Sequence, residues 1–454
     1  MKLLNTICIS LILFFSCIDY TLAEGKAYSM GELEAVVSSG PFNIIRNPAL
    51  LILQKKENSL GISFGSITHH TYDIHSKSNI ELYTTENIDV ETPSLNLDIE
   101  EPKIIVTGVN IAYSIKIGQS TIGAAITESE GKNQFSLIKN NLSSYINFNS
   151  LSIQENSKET KKEFNPSFVS SIGFNISKKN SIGFQIIGTY SYYDEKTIKN
   201  KYLNNIRTER LNIKKFTKII SAETGMGYLY REKDIQLGLL IKSGKISWKK
   251  ESLSYDITDL HDESTPFIDD SCRKNSNYSF ICKYSSSPRI IAGGYKKINT
   301  FLGIALECEF SFNNSFIDKT LEINDENESF FIDEKIYPYR KANTILLKGG
   351  AELNPFSNMV LAFGAGYKYT LEQKASDFKE NHESWTKDQF DTYHFTCGMD
   401  YIVNNNLILS FIASLIKIEG DMYLREEDPE KEIRLQIYNE TSYFFMTLGL
   451  TFSF

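Results

Sequence analysis

The last segment of the chain alternates between large apolar residues and smaller or polar ones. Successive side chains of a β-strand point to opposite faces, so this alternation predicts a strand with one apolar face. The apolar set comprises Phe444, Met446, Leu448, Leu450, Phe452 and Phe454. A strand of this kind that ends on an aromatic residue is typical of the closing strand of an outer-membrane β-barrel, and barrel-assembly machinery is the expected partner for that end.

The same alternation recurs from residue 60 onward, in pairs of segments joined by short turns. The predicted strands are 60–67, 104–117, 120–129, 167–178, 181–193, 215–230, 234–249, 287–297, 300–312, 343–353, 358–370, 390–403, 406–418 and 441–454. Long polar stretches are predicted as loops at 68–103, 130–166, 194–214, 250–286, 313–342, 371–389 and 419–440. Fourteen strands, with short turns and both termini on one side, predict an all-β fold, a transmembrane antiparallel barrel.

Charged residues within the strands indicate which face is luminal. Glu307 and Glu309 alternate with apolar residues, and a carboxylate that faces lipid is costly, so both are predicted to face the lumen. The strand 406–418 is unusual, because its predicted inward set includes Ile408, Ile412, Ile416 and Ile418. These isoleucines either pack on a plug or line an apolar cavity. A soluble β-sandwich or propeller is the alternative fold, but it would require shorter strands.

The amino terminus carries a secretion signal. A short basic start, an apolar core over 3–15 and small residues at 21–23 predict a signal peptide that covers 1–23. The apolar core is too short to be a membrane-spanning helix. Lipoprotein processing at Cys17 is the alternative, and two preceding phenylalanines fit it poorly. Together with the barrel pattern, the signal predicts a multi-pass protein of the cell outer membrane.

Composition and motifs narrow the function classes. A net charge of −8 argues against a nucleic-acid partner. No cofactor or enzyme motif is recognisable, and the histidines at 69, 70 and 75 lack the spacing of a metal site. Cys272 and Cys282 flank a polar run and are a candidate disulfide in an oxidising compartment. Cys308 and Cys397 fall on apolar strand faces, where they are expected to act as packing residues.

The segment 24–58 lies before the first strand and does not alternate. Residues 32–37 favour a short helix that Gly40 and Pro41 would end, and the Asn47-Pro48 step indicates a turn. A compact, partly apolar segment ahead of a barrel is predicted to lie in the lumen as a plug. The barrel itself is predicted to occupy 59–454.

These residues resemble a known family. The stretch 25–29, followed by Arg46-Asn47-Pro48-Ala49-Leu50 and a first strand, is similar to the amino-terminal hatch of FadL/TodX-type outer-membrane transporters. The predicted strand count and the pattern over 343–371 agree with that resemblance. The family's small-residue run before the Asn-Pro-Ala motif is bulkier here, with Phe42-Asn43-Ile44-Ile45.

The resemblance implies a function and a mechanism. Such transporters carry long-chain fatty acids or aromatic hydrocarbons, and a hatch movement releases the captured hydrophobic ligand through the barrel wall. The gate would be Asn47, Pro48, Ala49 and Leu50. Arg46, Lys116 and Lys368 are either partners for an anionic ligand or solvated luminal charges. The expected state is a monomer in contact with outer-membrane lipid. A general porin and a surface scaffold, adhesin or secretion accessory are the rival functions.

Overall fold

The three-dimensional structure is a computed structural model. It describes residues 29–38, 40–73, 81–84, 94–128, 135–148, 151–203, 206–259, 275–285, 288–312, 317–320, 343–370, 377–379, 382–404, 406–428 and 431–454. Within this part of the chain, no helix is long and apolar enough to cross a membrane.

Almost every described residue after Glu57 belongs to a β-strand. The strands are β1 Asn58–Asp73, β2 Glu81–Thr84, β3 Ser94–Ile117, β4 Ser120–Glu128, β5 Phe135–Phe148, β6 Leu151–Phe164, β7 Pro166–Asn175, β8 Asn180–Leu203, β9 Ile206–Glu232, β10 Ile235–Lys242, β11 Ile246–Asp259, β12 Asn275–Ser285, β13 Arg289–Lys297, β14 Leu302–Ser311, β15 Ile317–Thr320, β16 Thr344–Phe356, β17 Met359–Thr370, β18 Asp377–Lys379, β19 His382–Asn404, β20 Leu407–Asp428 and β21 Lys431–Ser453.

Fourteen of these strands form one closed antiparallel ring. Its order is β1, β3, β4, β7, β8, β9, β10, β13, β14, β16, β17, β19, β20 and β21. The last strand pairs with the first, with Ser59 opposite Ser453. The prediction of a fourteen-stranded antiparallel barrel is therefore confirmed.

The loop predictions are partly wrong, because the strands continue beyond the ring at the end opposite the short turns. The sequence predicts a loop over 130–166, yet this region contains β5 and β6, which pair with each other. Likewise β8 and β9 continue to Leu203 and Ile206. Strand β6 and the end of β8 are largely polar on both faces in sequence, so they lack the apolar stripe on which the prediction of strands depends.

Strand faces follow the alternation. On β14 the side chain of Leu306 is 68% exposed on the outer surface, while Glu307 next to it is 4% exposed and faces inward. Cys308 and Cys397 are free and lie on the outward face. Of the inward isoleucines of β20, Ile412 is fully buried and lies opposite Gly398 in the register. The apolar outer surface thus surrounds a polar and small-residue lumen.

The segment that precedes β1 contains two short 3₁₀ helices, η1 Gly40–Ile44 and η2 Pro48–Leu53. Glycine at position 40 adopts a positive φ of 64°, which turns the chain into η1. Most side chains between 29 and 52 are buried. Because the barrel strands have few inward-facing large side chains, this segment supplies the apolar core of the molecule.

Candidate functional site

Residues 29–57 lie in the lumen against a belt of inward-facing glycines. A Cβ atom added at any of these glycines would contact the segment. This glycine belt comprises Gly61, Gly123, Gly173, Gly183, Gly227, Gly238, Gly293, Gly350, Gly364 and Gly398, on ten different strands of the ring. On β8, for example, a Cβ atom at position 183 would lie 2.5 Å from the carbonyl carbon of Pro48 and 2.6 Å from the nitrogen of Ala49. The belt thus lets the backbone of the segment approach the wall directly.

The half of the segment that contains η1 and η2 is held mainly by apolar contacts. Phe42, Ile44 and Leu51 pack against one arc of the wall. The wall residues of this cluster are Ala112, Ala125, Val169 and Ile187, on β3, β4, β7 and β8. The hydroxyl of Ser171 also donates a 2.6 Å hydrogen bond to the carbonyl of Ile44. Contacts of this kind have little directionality.

Asn47 joins the two halves of the segment and is fully buried. Its side-chain amide donates to the carbonyls of Ala35, at 2.8 Å, and Tyr228 on β9, at 3.1 Å. Its side-chain oxygen accepts from the backbone N–H of Ala49 at 3.0 Å and so caps η2. Pro48 fixes the φ angle of the first helical residue, so Asn47 and Pro48 together determine how η2 begins. Asn47 is therefore the junction through which η2, the earlier part of the segment and the wall are connected.

The earlier half of the segment, residues 29–38, is held by charged groups. Glu307 of β14 accepts hydrogen bonds from the backbone N–H groups of Glu34, at 2.9 Å, and Ala35, at 2.7 Å. On the neighbouring strand β16, Lys348 donates to the carbonyl of Glu32 at 3.0 Å. Charge-assisted bonds to the backbone are among the stronger hydrogen bonds in proteins. This half is consequently fixed in both position and orientation.

Glu34 is the centre of the ionic contacts. Its carboxylate lies 2.9 Å from the Nζ of Lys242 and 3.8 Å from that of Lys348. Burial raises the pKa of Glu34, but Lys242, Lys348, Arg289 and Arg46 together outweigh that effect and hold the pKa well below its usual range. Glu34 is therefore ionised, and it pairs with cations from β10 and β16.

Among the described residues, the ladder between β3 and β4 is interrupted next to the apolar half of the segment. Strand β4 ends at Glu128 and β5 begins at Phe135, whereas their common partner β3 is continuous. Ile111 of β3 is opposite Ile126, and Thr107 is opposite Phe135, so residues 108–110 of β3 have no partner among the described residues of β4 and β5. On the other side, β7 begins with Pro166, which has no N–H to donate to the ladder. Within the described residues the ladder between β3 and β4 therefore stops at Ile126, whereas β4 stays paired with β7 as far as Glu128.

A second interruption separates β10 from β11 at residues 243–245. Here the luminal neighbour is Lys242, whose side chain pairs with Glu34. The two interruptions therefore differ in what lies behind them. Apolar residues of the segment lie just below the break beside β4. A buried ion pair lies beside the break at residues 243–245.

The predicted gate residues lie together, whereas the predicted cations do not. Asn47, Pro48, Ala49 and Leu50 are all buried at the start of η2. Arg46 is also buried, and its guanidinium donates to the carbonyl of Leu33. Lys116 is exposed at the short-turn end, with its Nζ 3.4 Å from the carbonyl of Gln54.

Lys368 lies on β17, faces inward and is half-buried. Within the described part of the chain it forms no ion pair. The predicted Cys272–Cys282 disulfide cannot be placed, because Cys272 lies outside the described residues.

Sequence reasoning missed the ionic anchor of the segment. Glu307 and Lys348 are directly opposite each other on neighbouring strands, and both have inward parity. That register was a usable signal, since opposite charges on one face of a sheet favour pairing. No sequence signal pointed to Glu34, because its contacts depend on how the non-repetitive segment folds inside the barrel.

Comparisons with known proteins identify the fold. Neither a protein-family model nor a curated protein sequence matches the chain. Among solved structures, the CymD monoaromatic hydrocarbon channel is similar with a TM-score of 0.55 and 10% identity, over 96% of this chain and 99% of that one. The Pseudomonas putida toluene transporter TodX gives a TM-score of 0.52 and 10% identity, over 96% and 100%. A Pseudomonas aeruginosa FadL homologue gives 0.54 and 12%, over 96% and 100%. The chain shares the fold of these FadL- and TodX-type proteins.

Proposed function

We propose that this protein is an outer-membrane transporter of hydrophobic compounds, with residues 29–57 as its hatch and the interruption beside β4 as the exit. Two of the proteins that share its fold are named for toluene or monoaromatic hydrocarbons. The apolar outer surface and the polar lumen are those of a membrane barrel.

One observation carries the proposal. The apolar half of the hatch lies next to residues 108–110 of β3, which have no partner among the described residues of β4 and β5. The cluster residues Ala112 and Ala125 are each within a few positions of the interrupted pairing on β3 and β4. A ligand that displaces Phe42, Ile44 and Leu51 from this arc exchanges one set of apolar contacts for another, at little cost in free energy. It then lies next to the proposed exit beside β4.

The hatch mechanism follows from the asymmetry of its two halves. The ionic half stays attached to β10, β14 and β16, and η1 with η2 moves about Asn47. A hydrophobic ligand that passes sideways into the membrane avoids a water-filled pore and the polar surface layer. The lumen therefore never has to open from end to end.

Replacing Asn47 with alanine tests this mechanism. We expect uptake of a radiolabelled fatty acid or toluene by whole cells to fall about tenfold, a typical magnitude for losing the coupling between two sites. The physical reason is that η2 loses its cap and its connection to Ala35 and Tyr228. Asn406→Ala, at an exposed residue of a short turn, is the matched control and should leave uptake unchanged. Unchanged uptake in folded Asn47→Ala barrels would refute the hatch mechanism.

A second substitution tests whether the ligand is a fatty acid or an uncharged hydrocarbon. Lys368 lies four residues beyond Gly364, the belt glycine of β17. It is therefore about 10 Å further than Gly364 from the short-turn end of the barrel. We propose that it pairs with a ligand carboxylate above the hatch. Lys368→Gln is expected to weaken oleate binding about tenfold and to leave toluene binding unchanged, measured by equilibrium binding in detergent. Lys116→Gln, at the opposite end, should change neither. Equal oleate affinity in the Lys368 variant would favour an uncharged ligand.

The rival functions predict different properties of the purified barrel. A general porin would show a large steady single-channel conductance and no retained ligand. A surface scaffold would show neither. The proposed transporter should contain a co-purifying fatty acid or hydrocarbon, identified by mass spectrometry, with little conductance. Burial of residues 29–52 within the lumen favours low conductance.

A further inference from the structure

Four neighbouring strands carry a basic surface on their outward face. Lys196, Lys214, Lys218 and Lys250, on β8, β9 and β11, are all exposed, and we refer to these four residues as the lysine patch. Lys158 and Lys162 on β6 continue the same surface. Phe216 and Trp248, also outward, lie among these lysines and are 40% and 46% exposed. The patch is thus a mixture of cations and aromatic rings.

The register places like charges directly against each other. Lys218 is opposite Lys250, and Lys196 is opposite Lys214. Like charges in directly opposite positions of a sheet repel each other, so the isolated barrel is destabilised there. None of the four lysines forms an ion pair with a described residue. Asp194 is the only carboxylate among the described outward side chains of 190–198, 212–222 and 246–254.

The position of the patch along the strands is equally specific. Tyr228 lies near the short-turn end of β9, and Lys218 is ten residues away on the same face. With a strand rise of about 3.3 Å and a tilt of about 40°, this separation corresponds to about 25 Å, the height of the apolar band of a membrane barrel. Between them lie the outward residues Met226 and Ile220. The patch therefore lies at the outer margin of the band and just above it.

From this geometry we infer that the lysine patch binds the phosphate groups of an outer-leaflet lipid. The inference rests on one part of the proposed function, namely that the apolar band lies in an outer membrane. Clustered lysines beside an apolar membrane surface attract anionic lipid, and an ammonium group binds phosphate as a point charge. The aromatic rings of Tyr192 and Trp248 suit the level of the headgroups. One lipid thus neutralises two opposed lysine pairs while its acyl chains cover the band below.

The test measures lipid binding by the purified full-length protein, without transport. Bisphosphorylated lipid A is titrated into the protein in detergent and counted by native mass spectrometry. Replacing all four patch lysines with glutamine is expected to weaken binding about a hundredfold. The variant should fold, since glutamine relieves the repulsion between the opposed lysines. A Lys178, Lys233, Lys296 and Lys297→Gln variant, which changes four exposed lysines at the short-turn end, should bind like the wild type.

Two further binding measurements identify the source of the phosphate. Lipid A without its phosphates should bind the wild type as weakly as the bisphosphorylated lipid binds the patch variant. Millimolar inorganic phosphate should not displace the bisphosphorylated lipid. Equal binding by the patch variant, an equal loss in the control variant, or equal binding of the dephosphorylated lipid would overturn the inference. Full displacement by inorganic phosphate would overturn the assignment to a lipid. Because uptake is not measured, each of these outcomes is independent of the hatch mechanism.

Discussion

Replacing Gly183 with valine is expected to displace the hatch from the barrel wall and to give a larger conductance than that of the wild-type protein. The new Cβ atom would lie about 2.5 Å from the backbone of Pro48 and Ala49, closer than van der Waals contact allows. Backbone atoms cannot change rotamer, so η2 has to move as a whole. The expected cost is about 3 kcal/mol, at the upper end of values for overpacked cores. Single-channel recording in planar bilayers measures the conductance.

The same strand provides the control for this experiment. A Cβ atom added at Gly188 of β8 would have no other atom within 4 Å, so Gly188→Val adds the same side chain without touching the hatch. Both variants carry one valine on a strand that favours β-branched residues. Conductance from the Gly183 variant alone would localise the effect to the hatch. Closed channels in both variants would contradict the tight fit between η2 and the belt.

Replacing Glu307 with alanine is expected to release the ionic half of the hatch. The substitution leaves the N–H groups of Glu34 and Ala35 without their acceptor and removes one of the carboxylates near Lys348. Removing one partner from a buried charged network typically costs about 3–5 kcal/mol. Hydrogen exchange of the Ala35 amide should accelerate accordingly, and a protease that cannot enter the wild-type lumen should cleave near residue 34.

Glu251 offers a matched comparison for the loss of a buried luminal carboxylate. It pairs with Lys215 and Lys249 on the wall, and no hydrogen bond or ion pair joins it to the described residues of the hatch. Glu251→Ala should therefore lower barrel stability without accelerating exchange at Ala35. Equal acceleration in both variants would indicate general loosening of the barrel. A double substitution of Glu307 and Lys348 by glutamine and methionine should cost less than the sum of the single changes, because they share one network.

The barrel was predictable from sequence because few folds can satisfy all backbone hydrogen bonds within a lipid bilayer. A membrane-crossing sheet has to close and has to alternate, so apolar residues such as those of β14 and β21 identify strands, faces and strand number together. The outer parts of β8 and β9 were missed for the complementary reason. Beyond the membrane both faces are in water, and a segment such as 194–203 has no apolar stripe to distinguish it from a loop.

The hatch was only partly predictable. The Asn47-Pro48 step indicated a turn, and the structure has a capped 3₁₀ helix there. Its role as a gate remains a prediction. The ionic half could not be derived, because the contact between Glu34 and Glu307 spans 273 positions and depends on strand register and on the path of the segment together. The helix expected over 32–37 is absent, and Glu32 instead has a positive φ of 58°. Hydrogen bonds to the wall replace the helical ones there.

The glycine belt also has a consequence for how this molecule is assembled. Its members lie all around the ring, from Gly61 on β1 to Gly398 on β19, and the segment fits against them without space for a side chain. We expect residues 29–57 to be in place before β21 pairs with β1, so that this pairing closes the wall around a segment that already fits it.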